Sequence, residues 1–147
     1  MLKDHLIIGI GNPCRNDDAL GYHFISYLED KVDVDIKHCY QLQIEDAEMI
    51  LHYKKVSFVD AAKNQNDCYQ LQTIEARSQT AFSSHSLGCS DILATCQELY
   101  NYTPQCQLLS IRGENFEIGE SLSDKATQAL QRVYSENPLE LNIKTHV

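Results

Sequence analysis

The apolar run His5-Leu6-Ile7-Ile8-Gly9-Ile10 stops abruptly at Gly11-Asn12-Pro13. A short apolar run closed by turn residues is a buried strand, because it is too short to be a core helix. The period then changes. Across residues 17–32, Leu20, Phe24, Ile25 and Leu28 return at helical spacing, with Asn16 or Asp17 available as N-cap. This switch recurs along the chain. Residues 34–40 alternate as a half-buried strand does, and residues 44–53 bring Ala47, Ile50 and Leu51 onto one helical face. Residues 56–59 read as a second buried strand ending at Asp60, and residues 69–74 alternate as an edge strand would. A third helix carries Ile92, Leu93, Cys96, Leu99 and Tyr100; residues 108–111 form a further strand closed by Gly113; Ser123 caps a last helix with Ala126, Leu130 and Val133. Strands alternating with helices predict a mostly parallel, twisted sheet of about five strands covered on both faces. The expected fold is therefore three-layer α/β/α, of the phosphorylase/hydrolase-like kind, as a single domain over residues 1–147.

Composition narrows the function classes. A length of 147 residues suits one domain. No apolar run approaches the roughly 18 residues of a membrane span. The first apolar run leads directly into a turn, which is not the pattern of a signal peptide. A cytoplasmic protein with no membrane partner is expected. Lys plus Arg is 12 and Asp plus Glu is 21, a formal charge of −9. Such a balance argues against nucleic acid, whose binding rests on neutralising phosphates. The six cysteines form no C-x-x-C pair and read as small buried hydrophobes.

In an open α/β sheet, ligands bind beyond the carboxyl ends of the strands. Three polar residues fall there: Asp18 after the first turn, Asp60 at the end of the second apolar strand, and His85 in the loop before the third helix. Two carboxylates and an imidazole suit a divalent first-row metal and leave coordination positions open. A position near a helix N-terminus favours the ionised form of Asp18. Plainer roles are equally available to the same residues. Asp17 and Asp18 can simply cap a helix, and His85 can be a structural hydrogen-bonder, as expected of His5, His23, His38, His52 and His146. Other chemistries have weaker support. Gly9-Ile10-Gly11 lacks the third glycine of a dinucleotide fingerprint, which would fall on Cys14. A Cys14–His85 nucleophilic pair has no evident orienting residue. The opening Ile8-Gly9-Ile10-Gly11-Asn12-Pro13 is similar to that of bacterial peptidyl-tRNA hydrolase, but the similarity ends at Pro13.

Four blocks, in order, carry a broader resemblance. They are Gly9-Ile10-Gly11-Asn12 with Asp17-Asp18-Ala19-Leu20-Gly21, then Phe58-Val59-Asp60-Ala61, then Ser84-His85-Ser86-Leu87 with Asp91-Ile92-Leu93, and last Ile111-Arg112-Gly113, Phe116-Glu117, Gly119 and Leu122-Ser123. Together they resemble the hydrogenase maturation endopeptidases, which trim the C-terminus of the large subunit of NiFe hydrogenases. Tyr40-Gln41-Leu42, where many members carry a Gly-rich turn, resembles the branch serving cytoplasmic NAD(P)-linked hydrogenases. The resemblance implies a peptidase without a tightly bound metal of its own, which recognises nickel already carried by the large-subunit precursor. It implies that Asp18, Asp60 and His85 contact that nickel and act in catalysis. Asp17 is the residue expected to position the attacking water, and a monomer is expected. Asp18 stands where some members have Glu, and Ala19 where many have Gly. A nickel-sensing escort that binds the large subunit without cutting it would use the same docking residues.

Overall fold

Leu6, Ile7, Ile8 and Ile10 point alternately to the two faces of a strand, β1 (Lys3–Ile10), that is buried on both sides. The computed structural model describes residues 1–76 and 88–144. In it, β1 lies within a five-stranded sheet whose order is β2 (Asp35–Cys39), β1, β3 (Tyr53–Ala62), β5 (Gln105–Arg112) and β4 (Tyr69–Ile74). The first four run parallel, and β4 pairs antiparallel with β5 at the edge. Helices α1 (Leu20–Leu28) and α4 (Asp124–Glu136) cover one face, packing on Ile7, Val59, Leu109 and Ile111. Helices α2 (Asp46–Ile50) and α3 (Cys89–Tyr100) cover the other, over Leu6, Ile8, Val56 and Phe58. The three-layer α/β/α fold expected from the alternation of periods is the fold observed. Among the described residues, no helix is long and apolar enough to cross a membrane.

Two elements differ from the periodicity. The helix expected across residues 44–53 is only Asp46–Ile50, because Tyr53 already pairs with Lys3 in the sheet and the His52 carbonyl accepts the Lys3 N–H at 2.9 Å. The helix expected from residue 17 begins instead as a 3-10 turn, Asn16–Ala19, with α1 following at Leu20. Neither Asn16 nor Asp17 is its N-cap. The capping positions are Arg15 and Ala19, and neither contributes a side-chain bond.

Ser57, fully buried in β3, shows how the sheet handles polarity. Its hydroxyl accepts from Gln107 Nε2 at 2.8 Å and donates to His5 Nε2 at 2.7 Å, linking three adjacent strands. Burial, with the charge of Lys55 adding, depresses the His5 imidazole to about 4, so the ring is a neutral acceptor. The structural role expected of His5 is the observed one.

Topology fixes where a ligand can enter. From β1 the chain turns over one face through α1 to β2; after β3 it continues to the strands on the opposite side of the sheet. Adjacent parallel strands whose connections diverge leave a crevice at their carboxyl ends. Here that crevice lies between β1 and β3.

Candidate functional site

The rim of the crevice is shaped by close backbone approaches. At Gly21 a Cβ would lie 2.4 Å from the Ile10 carbonyl oxygen and 2.8 Å from that of Val59. The first turn of α1 therefore rests directly on the ends of β1 and β3, a contact that only a residue without a side chain permits. Gly11 has φ +141°, and a Cβ there would lie 1.9 Å from the Asp18 carbonyl oxygen. The loop consequently folds back on itself, and the Asn12 N–H donates to Asp18 Oδ2 at 2.8 Å. His38 Nε2–H supports the loop from β2 by donating to the Gly11 carbonyl at 2.8 Å. Asp18 is half-buried on this folded loop.

Asp60 reaches the same crevice from β3. Pairing of β1 with β3 ends at Gly9 and Val59, whereas β3 continues against β5 through Asp60–Ser110 and Ala62–Arg112. Asp60 is thus the first residue of β3 beyond the departing neighbour, and it lies inside the strand rather than closing it. It is half-buried, with Oδ1 accepting the Ala61 N–H at 2.8 Å. Burial pushes its carboxyl up to about 7; the Ala61 hydrogen bond opposes this, and the charge of Asp18 adds to it. The two candidate acids, 42 residues apart in sequence, are close enough to act on each other. Cys39 at the end of β2 and Cys89 at the start of α3 also sense Asp60. Burial raises the Cys39 thiol to about 11, with the charges of Asp46 and Asp60 adding, and raises Cys89 further, with Asp60 again contributing. Both are neutral thiols at physiological pH, consistent with the packing role expected of most cysteines.

Asp17 has a different place. Its carboxylate has no exposed surface. Oδ2 accepts the N–H groups of Glu114 (2.7 Å) and Asn115 (2.9 Å) and the Ser123 hydroxyl (2.6 Å), while Oδ1 accepts the Ser123 N–H (2.7 Å). Burial alone would raise its pKa; the Ser123 hydroxyl and the three N–H groups outweigh that and hold the carboxyl below its ordinary value. A buried, saturated carboxylate has no room to position water, so the expected role of Asp17 is corrected to a structural one. Its neighbour Asn16, left-handed at φ 47°, completes the attachment. Asn16 Nδ2 donates to the Glu117 carbonyl at 2.9 Å, and Oδ1 accepts the Ser121 N–H at 3.1 Å. Gly119 sits so close that a Cβ would lie 2.4 Å from Asn16 Oδ1. Neither Asn16 nor Ser123 stood out as a partner of the first loop. The only local signal was Asn in a turn, a residue that tolerates the left-handed conformation.

His85 lies outside the described residues, as do Ser84, Ser86 and Leu87 from the same block, and His146. Among the described residues, no group of three His, Cys, Asp or Glu side chains is assembled to hold a metal ion. Asp18 lies close enough to Asp60 for its charge to be felt there. Cys14 is exposed and belongs to the turn, its N–H donating to Asn12 Oδ1 at 2.8 Å.

No family model matches the chain, and no curated protein does. Solved structures do. The hydrogenase maturating endopeptidase HybD from E. coli superimposes with a TM-score of 0.69 at 16% identity, covering 96% of each chain. The NiFe hydrogenase maturation protease HycI from Thermococcus kodakarensis gives 0.70 at 23% identity, covering 91% of this chain and 89% of its own. The hydrogenase 2 maturation peptidase from a Thaumarchaeota archaeon gives 0.66 at 20% identity, covering 94% and 100%. At these identities what is shared is the backbone, and across nearly its whole length this chain has the fold of the hydrogenase maturation proteases.

Proposed function

We propose that this protein is an endopeptidase that removes the C-terminal extension from the nickel-loaded precursor of a NiFe hydrogenase large subunit. The nickel belongs to the substrate. Asp18, Asp60 and His85 dock onto it and so fix the scissile bond at the crevice, a positioning effect that supplies a large share of catalytic power. The cation can in turn polarise the peptide carbonyl or lower the pKa of a water bound to it. We place the reaction in the cytoplasm and expect a monomeric enzyme.

The observation that carries the proposal is the placement of Asp60 just beyond the β1–β3 pairing, at the switch point of the sheet onto which the loop bearing Asp18 folds back. Two half-buried carboxylates near each other, with no cationic partner among the described residues, create a local excess of negative charge that a divalent ion relieves. The shared fold supports the reaction class. Cys89, at the start of α3, is close enough to Asp60 to feel its charge, and His85 precedes it by four residues in the sequence.

The test is incubation of a nickel-loaded large-subunit precursor with wild-type protein, Asp18→Asn and His85→Ala, read by intact mass. Asn at position 18 retains an acceptor for the Asn12 N–H while removing the charge. Wild-type protein should release a C-terminal peptide, only when nickel is present, and both variants should leave the precursor whole. Cleavage by Asp18→Asn at the wild-type rate would remove that residue from the site. Stable binding of the precursor without any loss of mass would replace the peptidase by an escort.

A further inference from the structure

Among the described residues, a groove of about 820 Å³ flanks the crevice. One wall is the segment following β3, from Lys63 to Asn66; the other is formed by Arg112 and the loop after it, with Arg15 and Lys125 also contributing. The groove and the crevice are continuous in sequence on both sides. Arg15 precedes Asp18 by three residues, and Lys63 follows Asp60 by three.

Its charge is opposite to that of the protein. In a chain with a net charge of −9, Arg15, Lys63, Arg112 and Lys125 share one concavity with two glutamates, Glu114 and Glu117. Of these, Lys125 pairs with Glu114 at 3.4 Å. Among the described residues, Arg15, Lys63 and Arg112 form no ion pair. Lys63 lies instead over the Phe116 ring, 4.9 Å from its centre. Arg112 donates from Nη1 to the Asn66 carbonyl at 2.6 Å and from Nη2 to Cys68 Sγ at 3.6 Å, and its buried Nε–H has no partner. A guanidinium satisfied by a carbonyl and a thiol retains its full charge with no counter-ion, an arrangement that an incoming carboxylate stabilises.

We infer that this groove binds a carboxylate-bearing segment of a peptide, through its free C-terminus or through acidic side chains. The assignment rests on the peptidase proposed above: a polypeptide docked at Asp18 and Asp60 continues past the scissile bond, and the groove is the adjoining space. The remaining lining suits a peptide better than a phosphate. Asn64, Gln65 and Asn66 offer amides to a peptide backbone and Phe116 offers an apolar surface, contacts that a bare phosphate would not use. The groove thus selects for the charge of the extension, while the crevice recognises the metal.

The test uses peptide alone, without nickel or precursor, so that its failure and a failure of the proposed cleavage remain distinguishable. A fluorescein-labelled hexapeptide rich in glutamate, with a free carboxylate, is titrated with wild-type protein by fluorescence anisotropy. Its counterpart has glutamine for glutamate and a C-terminal amide; a third peptide keeps the glutamates but is amidated. The acidic peptide should bind about tenfold or more tightly than the neutral one, and the difference should shrink as salt screens exposed charge. The amidated acidic peptide assigns the preference to the terminus or to the side chains. The double variant Arg15→Gln/Lys63→Gln, at exposed positions, should lose most of the preference. Equal affinity for acidic and neutral peptides, or an unchanged double variant, would overturn the assignment. Displacement of the acidic peptide by equimolar inorganic phosphate would do the same, reassigning the groove to a phosphate ligand.

Discussion

Asp60→Asn should stabilise the fold while abolishing precursor processing. The folded protein holds the Asp60 proton up to about pH 7, against an ordinary value of 3.8. A gap of about 3 units corresponds to a ceiling of about 4 kcal/mol. Asp60 is half-buried at a water-accessible rim, so roughly half of that, about 2 kcal/mol, is the realistic cost of ionising it in the native state. Between about pH 4 and pH 7 the folded state binds more protons than the unfolded state at this site. Stability contributed by the group therefore falls as pH rises, and the full cost is present above pH 7. Asparagine carries no such cost, and its amide oxygen still accepts the Ala61 N–H.

Thermal melts of wild type and Asp60→Asn at pH 4 and pH 8 separate this effect from general destabilisation. At about 2–4 °C per kcal/mol for a chain of this size, the variant should melt about 5 °C above wild type at pH 8. At pH 4, where Asp60 is protonated in the folded protein and about two-fifths protonated in the unfolded chain, most of the difference should vanish. A variant no more stable than wild type at pH 8, or equally stabilised at both pH values, would refute the assignment of Asp60 as a buried carboxylate awaiting a cation. A gain in stability with loss of function is the signature of a site strained for its task.

The adjacent structural acid should respond with the opposite sign. In Asp17→Asn, either orientation of the amide sets its N–H₂ against at least one backbone N–H from Glu114, Asn115 or Ser123, and the charge is lost. The expected cost is about 2–4 kcal/mol, or a melting point lower by about 10 °C at neutral pH. Because the native carboxyl lies below its ordinary 3.8, the deficit should narrow as pH falls below about 4 and the wild type protonates. A neutral-pH melt matching wild type would refute the anchoring role. Gly21→Ala would place a Cβ against three backbone atoms of Ile10 and Val59, all closer than 3 Å. Relief requires shifting α1 from the strand ends, at a cost of about 1–3 kcal/mol, and should slow processing by displacing Asp18. Denaturant unfolding checks the first effect and precursor mass the second; wild-type values in both would show that the close approach is dispensable.

The layers of this fold were legible because local periodicity has local causes. Ile7 and Ile8 must face opposite sides of a strand, and Leu20, Phe24 and Ile25 must share a helical face, whatever the rest of the chain does. The positions of Asp18 and Asp60 near the carboxyl ends of the strands were legible because the order of elements already implies a switch point there. The role of Asp17 was not. Its partners are 97, 98 and 106 residues downstream, and bonds of that range impose no periodicity on the residues between. An Asp-Asp pair before an apolar helix looks like capping until the segment from Glu114 to Ser123 is folded over it. The short α2 had a similar cause, since Tyr53 is drawn into the sheet by its pairing with Lys3. The basic groove was equally hidden, being assembled from single charges at positions 15, 63, 112 and 125.

The contrast between neighbouring acids explains how a short loop can aim a carboxylate. In a 3-10 turn successive side chains diverge by about 120°, so Asp17 and Asp18 must point in different directions. Asp17 points into the protein, where its four donors tie the turn to the segment that ends at Ser123, itself the N-cap of α4. Asp18 is thereby carried on a turn attached to β1 through Gly11 and to α4 through Ser123, and its position costs little further ordering when a ligand arrives. The degree of hydrogen bonding then sets the chemistry of each acid. Saturation holds Asp17 ionised and inert, whereas Asp60, with one backbone hydrogen bond among the described residues, keeps its proton bound near neutral pH. A half-buried carboxylate beside a second one is an electrostatic demand. A cation presented by a partner would satisfy it, and the anchored acid next door keeps the demand in place until one arrives.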